Sequence, residues 1–316
     1  MKKLFLCVLI VMLFIPLNVF AGGGRDRAAE GQLRVAVALS PANNAFHIRM
    51  RQVIDDAVSR HPDIHWTVRN ATDLNNQMEM LTLFRDERYD ALIVIPMDGV
   101  VLSPIIEQIY NDGTHTIILN RGIVSPNYTA FITGDNFGGG VNAARLIGER
   151  IGGQGNVAVL RSGTGTPIDL DRNNGFVSTL TREFPNIRIV AEADGEFNRE
   201  AGLRAMTNIL PAFGRIDAVV THDDEAVLGA ITAIENARRT DIQFVTGMGG
   251  TRPAYERLRA NDRLFAASMS YFPSQGYDGI EMVVRILRGI PSPKDTLISS
   301  VIVTSENVNQ FWDDSY

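Results

Sequence analysis

Ala218-Val219-Val220-Thr221-His222-Asp223-Asp224 carries the reading that decides the fold: an apolar run, then polar and charged residues, then the start of a helix. Ile117-Ile118-Leu119-Asn120-Arg121 and Val157-Ala158-Val159-Leu160-Arg161-Ser162 repeat the figure. A strand that is apolar at every position has both faces covered, so these segments predict parallel strands sandwiched between helices. Ligands of such sheets bind outside the carboxyl ends of the strands, which is where the polar residues fall.

Outward from these three, the alternation extends over the chain. Strands are predicted at 33–39, 65–69, 91–95, 116–120 and 130–133, with helices at 46–60, 73–85 and 102–110 between them. After Gly134-Asp135-Asn136 it restarts, with strands at 156–162, 188–193, 218–221, 243–246 and 265–271. Helices are predicted from about Arg172, over 199–210, over 224–238 and between the last two of those strands. A helix at 275–288 and a strand at 297–303 close the pattern. Two α/β halves within 316 residues exceed the usual single core and predict two domains.

Met1-Lys2-Lys3, an apolar stretch over 4–20 broken only by Pro16 and Asn18, and Val19-Phe20-Ala21 form the pattern of a secretory signal peptide at 1–21. Residues 22–32, rich in glycine and charge, read as a flexible leader. The mature protein is expected to be exported. Cys7, the only cysteine, leaves with the signal, which excludes disulfides, thiolate metal sites and cysteine nucleophiles. The net charge falls from −6 to −8, since Lys2 and Lys3 are removed and no acid is. Without a continuous basic run, nucleic acid and anionic membranes are not expected partners. The balance favours a soluble protein with a neutral or weakly polar ligand.

No cofactor is expected. Gly163-Thr164-Gly165-Thr166-Pro167 misses the dinucleotide spacing, because Ile168 stands where a third glycine belongs. Gly138-Gly139-Gly140 is explained as well by close helix packing as by a phosphate. The five histidines, His47, His61, His65, His115 and His222, offer no zinc ligand set, and there is no Gly-x-Ser-x-Gly elbow. Arg121, Arg172 and Asp223 differ in kind. Ionised groups at or after strand ends are costly in a dry interior and need partners, and together they can form a fork of donors and acceptors facing a cleft. Phe46 and Phe197, each at a loop-to-helix junction, would supply flat apolar faces to the same ligand.

The order of these pieces resembles the periplasmic sugar-binding proteins of ABC importers, of the ribose-binding type, which share their core with lactose-repressor-like regulators. The landmarks are Asn43-Asn44-Ala45-Phe46, Asn120-Arg121, Gly134-Asp135-Asn136, Asp171-Arg172-Asn173-Asn174-Gly175-Phe176, Glu196-Phe197-Asn198-Arg199 and the stretch from His222 to Ala230. The resemblance implies an α/β fold of two Rossmann-like lobes with parallel sheets, joined by three hinge crossings near Gly134, Tyr271 and 290–297. It gives a first lobe of 33–134 plus 272–293 and a second of 135–271 plus 294–316. It also implies a ligand site with Ser40, Asn44, Phe46 and His47 on one wall, Asn120 and Arg121 as its hydrogen-bonding floor, Arg172, Phe197 and Asp223 on the opposing wall, and Tyr271 at the hinge. The implied partners are an ABC permease and, as a variant, a chemoreceptor, with the protein a monomer.

Four positions depart from the ribose-binding pattern. Ile95 stands where those proteins place an Asn, Asn120 and Gly249 where they place an Asp, and Tyr271 where they place a Gln. Each lost acid removes an acceptor for sugar hydroxyls, worth several kcal/mol as an order of magnitude. The expected ligand is therefore a larger or less hydroxylated sugar, a polyol or a nucleoside-like compound. Of the rivals, a repressor would need a helix-turn-helix where the signal peptide stands. An exported α/β enzyme could use Asp223 and Asp224 as acid and base.

Overall fold

The computed structural model describes residues 31–316, so the expected signal peptide and all but the end of the leader lie outside the described residues. The first sheet contains β1 (Arg34–Leu39), β2 (His65–Asn70), β3 (Ala91–Val94), β4 (His115–Leu119) and β5 (Ala130–Gly134). Between them run α1 (Ala45–Val58), α2 (Leu74–Glu87) and α3 (Ser103–Asn111). The second half follows with α4 (Asn136–Arg150), β6 (Gln154–Arg161), α5 (Pro167–Glu183), β7 (Asn186–Asp194), α6 (Arg199–Ile209) and β8 (Ala218–Thr221). It continues with α7 (Asp224–Asn236), β9 (Phe244–Gly249), α8 (Arg252–Arg259) and β10 (Phe265–Ser270). Then come α9 (Gln275–Leu287), β11 (Asp295–Ile298), β12 (Ile302–Val303) and a 3-10 turn at Val308–Phe311.

The strand orders are β11-β5-β4-β3-β1-β2 and β12-β10-β9-β8-β6-β7. Every pairing is parallel except the short antiparallel join of β12 to β10. The apolar runs are two-sided, as predicted. Val35, Val37 and Leu39 of β1 pack toward α1 and α9, while Ala36 and Ala38 pack toward α2 and α3. In β8, Val219 joins the core under α6 and α7, and Ala218 and Val220 join the core under α4 and α5. Side chains alternate across a strand, so only a continuous apolar run can feed two cores.

The glycine run 138–140 serves helix packing. A Cβ on Gly140 would meet the Arg172 carbonyl at 2.1 Å, and one on Gly175 would meet the Phe137 carbonyl at the same distance. Backbone contact between α4 and α5 therefore fixes Arg172 in place.

Four expectations are corrected. The helix expected from about Arg172 begins at Pro167, because Thr166 accepts a hydrogen bond from the Asp169 amide and Pro167 tolerates the first helical position. The single strand expected over 297–303 is two strands, one in each sheet. The third crossing is thus Ser299 to Val301 instead of 290–297, and residues 295–298 lie with the first sheet although the expected boundary put them with the second. The Asp135 amide donates to the Ile298 carbonyl at 2.8 Å, and the Val301 amide donates to Ser270 Oγ at 2.8 Å, so the crossings are stitched together.

Candidate functional site

The carboxyl ends of both sheets face one cavity of about 140 Å³. That is small beside the roughly 300–1,000 Å³ of common ligand pockets. It suits one compact guest and not the larger sugar expected, because the Tyr316 hydroxyl occupies the space beside Gly249. Nine of the ten predicted residues line it: Asn44, Phe46, His47, Asn120 and Arg121 from the first half, Arg172, Phe197 and Asp223 from the second, and Tyr271 directly after β10, where the chain passes between the sheets. Ser40 is not in the lining. It is buried, and its hydroxyl donates to the Ile95 carbonyl at 3.1 Å.

Helix starts place several of these side chains. Asn44 caps α1 by accepting from the His47 amide at 2.9 Å, which sets Phe46 and His47 at the cavity wall. Asp223 caps α7 through one oxygen, accepting from Glu225 and Ala226 amides at 2.8 and 3.1 Å. Asn120 has a left-handed backbone with φ of 65°, a conformation that Asn tolerates better than most residues. Its side-chain oxygen accepts from the Tyr271 hydroxyl at 2.6 Å.

Both arginines rest on neutral acceptors. Arg121 donates to the Met97 carbonyl at 3.3 Å, and Arg172 donates to Asn136 Oδ1 at 2.9 Å and to the His222 carbonyl at 2.5 Å. Arg172 also lies over the Tyr271 ring, 5.0 Å from its centroid. Burial works against each charge, yet guanidinium stays protonated in proteins, so both keep strong donors at the cavity. Burial and then the neighbouring Arg121 push the His47 imidazole down to about 4, which leaves it neutral near pH 7. Burial raises the Asp223 carboxyl to about 6, against the pull of its capping amides and Arg172.

Aromatic rings bound the site. Phe46 packs edge-on against His47 at 5.4 Å and tilts against Tyr271 at 5.7 Å. Phe197 is 39% exposed and lines the cavity from a left-handed backbone with φ of 52°. A bulky residue there is an outlier, which a helix start alone does not require. Flat faces with interleaved donors and acceptors match the two sides of a sugar ring or polyol chain.

Sequence reasoning missed Ala45, Ile168, Glu225, Met248, Thr251 and Tyr316, and treated Gly249 only as a departure. Ile168 follows from the earlier start of α5. Ile95 is buried outside the lining, and its carbonyl holds Ser40 and Gln77. The residues of the Gly163 to Pro167 loop are spent on the turn, with the Asp194 carboxylate accepting from the Gly163 and Thr164 amides.

Residues 35–291 match the family model described as a periplasmic binding protein domain. The chain is 23% identical over 298 residues to a xylitol-binding protein of Mycolicibacterium smegmatis, covering 93% of this chain and 84% of that one. It is 26% identical over 242 residues to a ribose import binding protein of Bacillus subtilis, covering 77% of each. Among solved structures, an ABC transporter solute binding protein from Bacillus halodurans with bound myo-inositol superposes with a TM-score of 0.82. That match has 26% identity and covers 91% of this chain and all of the other.

Proposed function

The chain belongs to the periplasmic binding protein family, and from that premise we propose that it is an exported receptor that captures one small sugar or polyol between its lobes. In this reading the protein works in the periplasm, delivers its ligand to an ABC permease and catalyses no reaction. The observation that carries it is the single cavity shared by the carboxyl ends of two sheets, with Asn120, Arg121, Arg172 and Asp223 as polar groups and Phe46, Phe197 and Tyr271 as flat walls. The relatives' ligands, xylitol, ribose and myo-inositol, belong to the same chemical class.

Closure transmits occupancy only if the shut form binds the ligand better than the open one. Residues from both lobes can supply that difference, since Arg121 and Arg172 line one cavity from opposite halves of the chain. The enzyme reading has less support. Asp223 caps a helix, and Asp224 accepts from the Gly250 and Thr251 amides and from Ser268 Oγ, so both acids are engaged by the protein. Mass spectrometry of the small molecule carried by the native protein, followed by calorimetry with that compound, tests the proposal. Unchanged ligand and saturable binding are expected; recovery of a chemically altered product would overturn it in favour of catalysis.

A further inference from the structure

Any role of Tyr316 in the cleft rests on that carbohydrate reading. No strand end of either sheet supplies this residue, yet its side chain lines the cavity. The segment that carries it, residues 304–316 after β12, is fixed to the second lobe. The Tyr316 amide donates to the Gly250 carbonyl at 3.1 Å, the Arg252 amide donates to the Tyr316 carbonyl at 2.5 Å, and Arg252 Nη2 reaches the Ser315 carbonyl at 3.4 Å. From that anchor the ring crosses to the first lobe and meets Phe46 edge-on at 5.7 Å.

Gly249 makes the placement possible. Its φ is 150°, and a Cβ there would stand 3.0 Å from the Tyr316 hydroxyl and 3.2 Å from Asp224 Oδ2. The phenol thus fills space that any side chain at 249 would claim. An acid at 249, as ribose binders carry, and a tyrosine at 316 are alternatives for one volume. The phenol is also kept neutral, since burial raises its pKa well above the ordinary value and Asp224 and Asp223 add to that.

We propose that Tyr316 is a specificity-determining residue of the cleft: its hydroxyl replaces the carboxylate missing at Gly249 as a hydrogen-bonding group, and its ring limits the guest to a single small polyol or monosaccharide. A phenol both donates and accepts, so it serves ligands with fewer hydroxyls than a carboxylate would demand.

The test compares dissociation constants, by calorimetry on the full chain, for erythritol, xylitol, D-ribose, D-allose and myo-inositol. Tyr316→Phe keeps the ring and is expected to weaken the best wild-type ligand by about tenfold, without changing the order of preference by size. Tyr316→Ala opens the volume and is expected to shift the affinity ratio of myo-inositol to xylitol at least about tenfold toward the bulkier compound. Tyr316→Leu makes the same comparison if the alanine variant does not fold. A merely structural role would change all affinities together and leave that ratio alone. Constants within twofold of wild type in every variant, or a uniform loss with an unchanged ratio, overturn the assignment alone. Wild-type protein that binds none of the five overturns the carbohydrate reading on which it rests.

Discussion

The Tyr271 hydroxyl donates to Asn120 Oδ1 at 2.6 Å, joining a hinge crossing to the floor of the cleft. The same ring lies under the Arg172 guanidinium and against Phe46, so one side chain touches groups from both lobes. It also packs on Gly134 at another crossing, where a Cβ would come within 2.4 Å of the ring. The polar groups of the candidate site and the crossings between the two sheets therefore meet at a single residue. A Gln, as ribose binders place here, could donate to residue 120 but would offer no face to an arginine.

Tyr271→Phe removes that donor and leaves the buried Asn120 oxygen without its partner. An orphaned acceptor of this kind costs about 1–3 kcal/mol. Urea unfolding of the ligand-free variant is expected to show a loss in that range with an unchanged m-value. An unaltered midpoint would mean that the bond contributes nothing net.

Arg172 offers the firmest test of the site. Arg172→Lys keeps a charge but cannot reach Asn136 and the His222 carbonyl in the same planar fork. The variant is expected to fold, by circular dichroism, and to lose the ligand-induced rise in Tm expected of wild type. Retained ligand stabilisation would remove Arg172 from the binding machinery.

Much of this site was legible because strand ends and helix caps are local patterns. Asn120-Arg121 and His222-Asp223 follow apolar runs, and Asn44 and Asp223 are capping types at helix starts, so their places follow from short-range rules. Other features depend on distant partners. Nothing within 297–303 states that Leu297 pairs beside Thr133 while Ile302 pairs beside Met269. The two serines between them were the one local hint of a break. Tyr316 is placed by contacts with Gly250, Arg252 and Phe46, three positions far away in sequence, and no periodicity announces it. The early start of α5 was available from Thr166-Pro167, a cap followed by a first-turn proline.

The paired acids at the start of α7 give the protein a defined pH response. Burial raises the Asp223 carboxyl to about 6 and the Asp224 carboxyl to about 7. In the unfolded chain both ionise near pH 4. Between about pH 4 and 7 the folded protein therefore holds protons that the unfolded chain has released, and these two groups make stability fall as pH rises. Asp241, drawn down to about 2 chiefly by Arg239, works the other way, with stability present above pH 4 and lost on acidification. Asp224→Asn imitates the protonated acid, so the Tm of wild type is expected to drop relative to this variant between pH 5 and 7.5. Parallel Tm profiles would refute the assignment of that titration to Asp224.

Phe197 links backbone strain to binding. It and Glu196 both adopt left-handed backbones, with φ of 52° and 51°, and strained residues cost about 1–3 kcal/mol each. The Asp194 carboxylate accepts from the Glu196 amide at 2.8 Å and Asn198 caps α6, so the turn is held from both ends. Its ring rests over Gly163, where a Cβ would stand 2.5 Å away, and faces the cavity. Phe197→Gly relieves the strain and removes the apolar wall together. The ligand-free variant is expected to match or exceed wild type in urea unfolding, by up to about 1 kcal/mol, while calorimetry shows at least about tenfold weaker ligand binding. Phe197→Ala keeps the strain and loses the ring, so it should bind as weakly without the stability gain. Undiminished affinity in both variants would assign the conformation to helix packing alone and remove Phe197 from the site.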